Sequence, residues 1–120
     1  MQINIKMTSM EITESISEKL NKSTAHIEKI LHEKAEDSAL LTVEIGKKTK
    51  HHRQGDIFFT QLHLVRDGDD FNVMSEKEEL LDSIDAAEEE LLRQIKSKQD
   101  KRKDLTRQGG KEIKDASREE

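Results

Sequence analysis

The chain has 120 residues and a formal net charge of -5, room for one domain and a tail. Only 32% of the residues are hydrophobic against 39% charged, so any core is small, and no run reaches the roughly 18 apolar residues of a membrane span. There is no Cys, Trp, Tyr or Pro, which excludes disulfides, thiolate metal sites and cysteine nucleophiles.

Ile3 and Ile5 alternate with Gln2, Asn4 and Lys6 and predict a first strand. This N-terminus lacks the apolar core of a signal peptide, so the expectation is a soluble, cytoplasmic protein without a membrane partner. Thr13 is placed to cap a helix and Glu14 to favour its dipole; Ile16, Leu20, Ile27, Ile30 and Leu31 then recur at helical spacing, predicting an amphipathic helix over 13–33. Leu41, Val43 and Ile45 alternate with Thr42 and Glu44 as a second strand. Residues 57–65 make a third, with Phe58, Thr60, Leu62 and Leu64 on one face. After the turn Arg66-Asp67-Gly68-Asp69-Asp70, Phe71-Asn72-Val73 predicts a short fourth strand. From Glu76 a long helix follows, with the stripe Leu80, Ile84, Ala87, Leu91 and Ile95. The pattern fails after Lys103, so 1–103 is expected to be the domain and 104–120 a disordered polar tail.

The order β-α-β-β-β-α predicts an α+β, two-layer sandwich with both helices on one face of a four-stranded sheet. The other face would carry Thr42, Glu44, Phe59, Gln61 and His63, polar enough to meet water.

Charge is unevenly placed. Between Asp67 and Glu90 there are eleven acids and one base; between Arg93 and Lys103 there are six bases and one acid. Lys19, Lys22, His26 and Lys29 form a second basic stripe on the first helix. The segment Lys47-Lys48-Thr49-Lys50-His51-His52-Arg53 gathers further cations between two strands. Each helical stripe alone reads equally as an ordinary solvated face. Together the three clusters fit a surface that binds phosphates through backbone and shape, with Phe59 the sole base-stacking candidate on the open face. Chemistry of other kinds is not encoded. His51-His52 lacks a third ligand at suitable spacing, there is no phosphate-cradling glycine loop, and the acids at 88–90 fan around a helix. No enzyme, metal, cofactor or small-molecule substrate is expected.

Met1-Gln2-Ile3-Asn4-Ile5, Met10-Glu11-Ile12-Thr13 and the helix to Leu31 resemble the start of the ribosome hibernation-promoting factor family, also called ribosome-associated inhibitor or sigma-54 modulation proteins. Gly46-Lys47 through His51-His52-Arg53-Gln54-Gly55 to Phe58 resembles the hairpin of many members. Ser83-Ile84-Asp85 and Leu91-Leu92-Arg93-Gln94-Ile95 resemble the last helix, so the likeness covers about residues 1–103. The resemblance implies a double-stranded-RNA-binding-domain-like fold. It also implies docking in the decoding region of the small ribosomal subunit, on its ribosomal RNA, where members block messenger and transfer RNA sites and inhibit translation under stress.

Carried over by position, the RNA-binding residues are Lys22 and Lys29 on the first helix and Arg93, Lys96 and Lys101 on the second. Charge and exposure add Lys50, His51, His52 and Arg53. Leu81 stands where members often have Tyr, which removes a polar aromatic handle; Glu90 stands where a Lys is common, so that turn is not expected to touch phosphate; Phe59 and Asn72 stand where basic residues are common, which weakens an RNA role for the open sheet face. The chain resembles the short class, without a C-terminal dimerisation domain, and is expected to be monomeric off the ribosome. Two other readings stay open: a general structured-RNA binder without ribosome specificity, and an interaction module whose acidic stretch 67–90 meets a basic protein.

Overall fold

The computed structural model of the protein describes the backbone of residues 1–31, 38–49 and 55–117, and their side chains except at 49 and 103–117. Six elements follow in order: β1 (Gln2–Thr8), α1 (Glu14–Leu31), β2 (Leu40–Thr49), β3 (Asp56–Arg66), β4 (Asp69–Lys77) and α2 (Leu80–Ser117). The sheet order is β1-β2-β3-β4, with β1 parallel to β2 and the other pairs antiparallel. This is the β-α-β-β-β-α sandwich that the hydrophobic periodicity predicts.

The apolar residues explain the layering. Ile16, Leu20, Ile27 and Leu31 of α1 and Ile84, Ala87, Leu91 and Ile95 of α2 form one buried cluster with Leu41, Val43, Ile45, Leu62, Leu64, Phe71 and Val73 of the sheet. Successive strand residues point to opposite faces, so all seven strand residues lie on the side that the helices cover. Ile30 departs from the expected stripe. It is 36% exposed while its neighbours Ile27 and Leu31 are buried, because one step around the helix carries it onto the flank. A polar contact is built into the same interface: Thr60 and Ser83 are fully buried, their hydroxyl oxygens 2.8 Å apart, and Ser83 Oγ also donates to Leu80 O at 2.7 Å.

Local chemistry sets the element ends. Ile16 N donates to Thr13 Oγ1 at 3.3 Å, the expected N-cap of α1. Near the end of α1, Arg66 Nη1 donates to Leu31 O at 3.1 Å; residues 32 and 33 of the expected helix lie outside the described residues. β3 and β4 are joined by Asp67-Gly68, both at positive φ (32° and 82°), as a two-residue hairpin turn requires. That turn carries β4 well beyond the expected Phe71–Val73, up to the pair Phe58↔Lys77, and α2 therefore starts at Leu80 rather than Glu76. Glu76 and Lys77 fit an edge strand because their side chains are exposed while their backbone pairs with β3. The helical backbone of α2 continues to Ser117, past the point where its apolar stripe ends. No Pro interrupts it, and each glycine of Gly109-Gly110 costs only about 1 kcal/mol relative to Ala.

The open sheet face is largely polar and internally bonded. Thr8 Oγ1 donates to Glu44 Oε2 at 2.9 Å, Gln61 Nε2 to Asn72 Oδ1 at 3.0 Å, and His63 Nε2 lies 2.6 Å from Asp70 Oδ1. Phe59 lies on this face but is only 6% exposed, which corrects its expected role as a stacking platform. Its ring fills the space that Gly46 leaves in the neighbouring strand, and Lys48 Nζ sits 5.2 Å from the ring centroid. A Cβ at position 46 would stand 2.6 Å from Phe59 Cζ and 2.9 Å from Thr8 O. Gly46→Ala should therefore destabilise the fold by about 1–3 kcal/mol in urea unfolding, and Phe59→Leu in the same chain should recover part of that loss.

Candidate nucleic-acid interface

β1 and β4 point the same way in the sheet, so α1 and α2, each returning from its strand, run in the same direction. Lys19 Nζ pairs with Asp85 Oδ1, and His26 Nδ1 lies 2.6 Å from Glu88 Oε2. These contacts divide the basic stripe of α1. Lys19 and His26 face α2 and are matched by its acids. Lys22 and Lys29, rotated further from the core at about 100° per residue, are exposed and pair with no acid among the described residues. Part of the acidity of α2's first half is thereby explained as the glue between helices.

The basic half of α2 is divided in the same way. Asp69, just after the β3–β4 turn, has a side chain only 6% exposed, yet it holds Lys98 Nζ at 2.8 Å and the Arg102 guanidinium, with Arg66 Nε at 3.9 Å. Burial pushes the Asp69 carboxyl up, but hydrogen bonds and charge from Lys98 and Arg102 outweigh it and hold the group below its ordinary range. Lys98 Nζ also lies 5.5 Å from the Phe71 ring centroid. Lys98 and Arg102 thus fasten α2 to the hairpin beyond Ile95, the last core residue of the helix among the described residues.

Arg93 is exposed but not available as a free cation. Its Nε donates to Glu90 Oε1 at 2.9 Å and its Nη2 to Glu90 Oε2 at 2.6 Å, while Gln94 Nε2 donates to the same Oε2 at 2.9 Å. The hydrogen bonds from Arg93, then Gln94, bring the Glu90 carboxyl down to about 2. Lys96 and Lys101 are exposed and pair with no acid among the described residues. Two shallow grooves follow this part of the helix. One, of about 380 Å³, is lined by Phe71, Arg93, Gln94, Ser97, Lys98 and Lys101; the other, of about 370 Å³, by Arg93, Lys96, Ser97, Asp100 and Lys101.

The structure therefore brings Lys22, Lys29, Lys96 and Lys101 to the surface of the helical layer and leaves Arg93 clamped. Lys50, His51, His52 and Arg53 lie outside the described residues. The hairpin beside them is charge-matched: Lys47 Nζ is 3.1 Å from Asp56 Oδ2 and Lys48 Nζ 2.6 Å from Glu76 Oε2. Ser97 and Gln94 are neutral donors that a reading by charge misses. Spacing by four places Ser97 between Arg93 and Lys101 on one helix face, a signal present in the sequence. Among the described residues no group of three or more His, Asp or Glu is placed to hold a metal ion, and no helix is long and apolar enough to cross a membrane.

The Asp69 clamp gives a test. Its folded pKa is depressed, so its contribution is complete above the ordinary value of 3.8 and fades as pH falls below it through the folded value. Asp69→Asn should lower stability at pH 7 by about 1–3 kcal/mol. It should also flatten the decline of stability below pH 4, measured by urea unfolding across pH.

Comparison with known proteins bears on what these surfaces serve. The N-terminal domain of Thermus thermophilus Protein Y is similar in structure, with a TM-score of 0.63 and 20% identity over 81% of this chain and 98% of that one. A ribosomal subunit interface protein from Coxiella burnetii superposes with a TM-score of 0.56 and 15% identity over 80% of this chain and 97% of that one. No curated protein sequence matches. The family described as Sigma 54 modulation protein / S30EA ribosomal protein matches residues 3–103, which take in β1 from Ile3, α1, β2, β3, β4 and α2 as far as Lys103. The chain belongs to that family.

Proposed function

We propose that the protein is a ribosome hibernation factor. It binds the decoding region of the small ribosomal subunit, covers messenger and transfer RNA sites and silences translation under stress in the cytoplasm. Family membership supports association with the ribosome. The observation that carries RNA contact is the set of four exposed lysines on the helical layer, Lys22, Lys29, Lys96 and Lys101, none matched by an acid among the described residues. The neighbouring cations Lys19, Lys98 and Arg102 are each matched. A surface that leaves some cations unmatched while neutralising their neighbours suits a polyanion, because each phosphate it neutralises releases counterions.

Ser97 and Gln94 add neutral donors for sugar or phosphate oxygens along the same helix. Lys50, His51, His52 and Arg53 serve as accessory contacts at the hairpin. The open sheet face stays away from RNA, since Phe59 is covered and its neighbours bond to one another. The docked unit is residues 1–103, and 104–120 is a polar extension. The protein acts by occupancy, without catalysis, cofactor or metal, and is monomeric off the ribosome.

The four unmatched helical cations alone predict a slope of roughly -3 for log affinity against log salt, and the accessory hairpin contacts steepen it. Co-sedimentation with purified small subunits should show a slope at least that steep. Lys22→Glu combined with Lys96→Glu should lower affinity at least tenfold without changing the thermal midpoint appreciably, because both side chains lie off the apolar stripe. An excess of unrelated duplex RNA should compete poorly; effective competition would favour a general RNA binder. Undiminished binding by the double variant would contradict the assigned surface.

A further inference from the structure

We propose that Glu90 is a built-in counter-ligand of Arg93, one that holds the protein's affinity for RNA below what its basic helix would otherwise give. The proposal rests on the RNA-binding reading above and concerns how tightly that surface binds.

The geometry carries it. A guanidinium recognises a phosphate by presenting two parallel N–H groups to two oxygens. Arg93 already spends such a fork, Nε and Nη2, on the two oxygens of Glu90, at 2.9 and 2.6 Å. Gln94, one turn after Glu90, supplies a third donor to the same carboxylate. Three donors on one exposed carboxylate keep it ionised far below neutral pH, consistent with its depressed pKa. An incoming phosphate has two routes. It can displace Glu90, leaving a carboxylate without its partner beside a polyanion. It can instead bind the outer edge of Arg93, with the Glu90 charge close by. Both routes weaken binding relative to a free arginine. The groove shared by Arg93, Lys96, Ser97, Asp100 and Lys101 lies at this point of the helix, so the clamp sits within the candidate interface.

The matching charges elsewhere differ in kind. Asp69 lies between Lys98 and Arg102 and fastens α2 to the hairpin, and Asp85 and Glu88 join the two helices. Glu90 bonds to residues three and four positions along its own helix, a pairing of little value to stability on an exposed surface. Its removal therefore leaves the fold intact and frees Arg93.

The test compares Glu90→Gln with Glu78→Gln, which makes the same change in net charge ahead of α2. Affinity for purified small subunits is measured over a range of salt, with thermal melts to check folding. Glu90→Gln should bind roughly three- to tenfold more tightly, with a salt slope steeper by about one, and Glu78→Gln should change affinity less than twofold. In the Glu90→Gln background, Arg93→Gln should erase the whole gain in affinity and return the salt slope to that of the native protein. Equal affinities for Glu90→Gln and Glu78→Gln, or a gain that survives Arg93→Gln in the Glu90→Gln background, would overturn the proposal. If no form of the protein binds small subunits, the ribosome reading fails. Salt elution from immobilised heparin then decides the clamp: later elution of Glu90→Gln, abolished by Arg93→Gln, supports it, and co-elution with Glu78→Gln overturns it.

Discussion

A single carboxylate, nearly out of solvent, holds the second helix to the sheet beyond its apolar stripe. Among the described residues the buried apolar stripe of α2 ends at Ile95, and no later side chain joins the core. Asp69 holds the turns that follow, by drawing Lys98 and Arg102 down onto the β3–β4 turn. Burying that carboxylate costs desolvation, and a cation on either side offsets the cost. The turn makes the arrangement possible: Asp67-Gly68 reverses the chain in two residues and delivers Asp69 to the sheet end next to the helix. With those two cations turned inward, Lys96 and Lys101 are left facing water.

Charge matching is the common theme of the helical layer. Of the basic residues that look alike in the sequence, Lys19, His26, Lys98, Arg102 and Arg93 each meet a carboxylate in the folded state. What a polyanion meets is the remainder, a smaller and more selective set. A surface of this kind binds a polyanion reversibly and responds to ionic strength.

The fold was readable because its signals are local and periodic. Period-two alternation marked the first three strands, the spacing Leu80, Ile84, Ala87, Leu91, Ile95 marked α2, and Thr13 marked the start of α1. The β4–α2 boundary was less so, since the pairing of Glu76 and Lys77 depends on the length of β3, a property of the partner strand. Phe59 shows a similar limit. Alternation puts it correctly on the open face, but its burial depends on Gly46 across the ladder. The candidate surface was half visible. The identity of its cations could be read from charge runs and family likeness. Which of them are neutralised could not, because Asp69 and Lys98 are 29 positions apart in the chain and meet only in the folded protein. The Glu90–Arg93 pair is local and could have been anticipated from its spacing by three.

The central claim is that the outward face of the two helices, and not the open sheet, meets ribosomal RNA. Site-specific photo-crosslinking tests it most directly, with a photoreactive residue placed in turn at Lys22, Lys96 and Asn72 and the protein bound to purified small subunits. Crosslinks to small-subunit ribosomal RNA are expected from positions 22 and 96 and none from 72. Crosslinks from 72 with silence at 22 and 96 would contradict it.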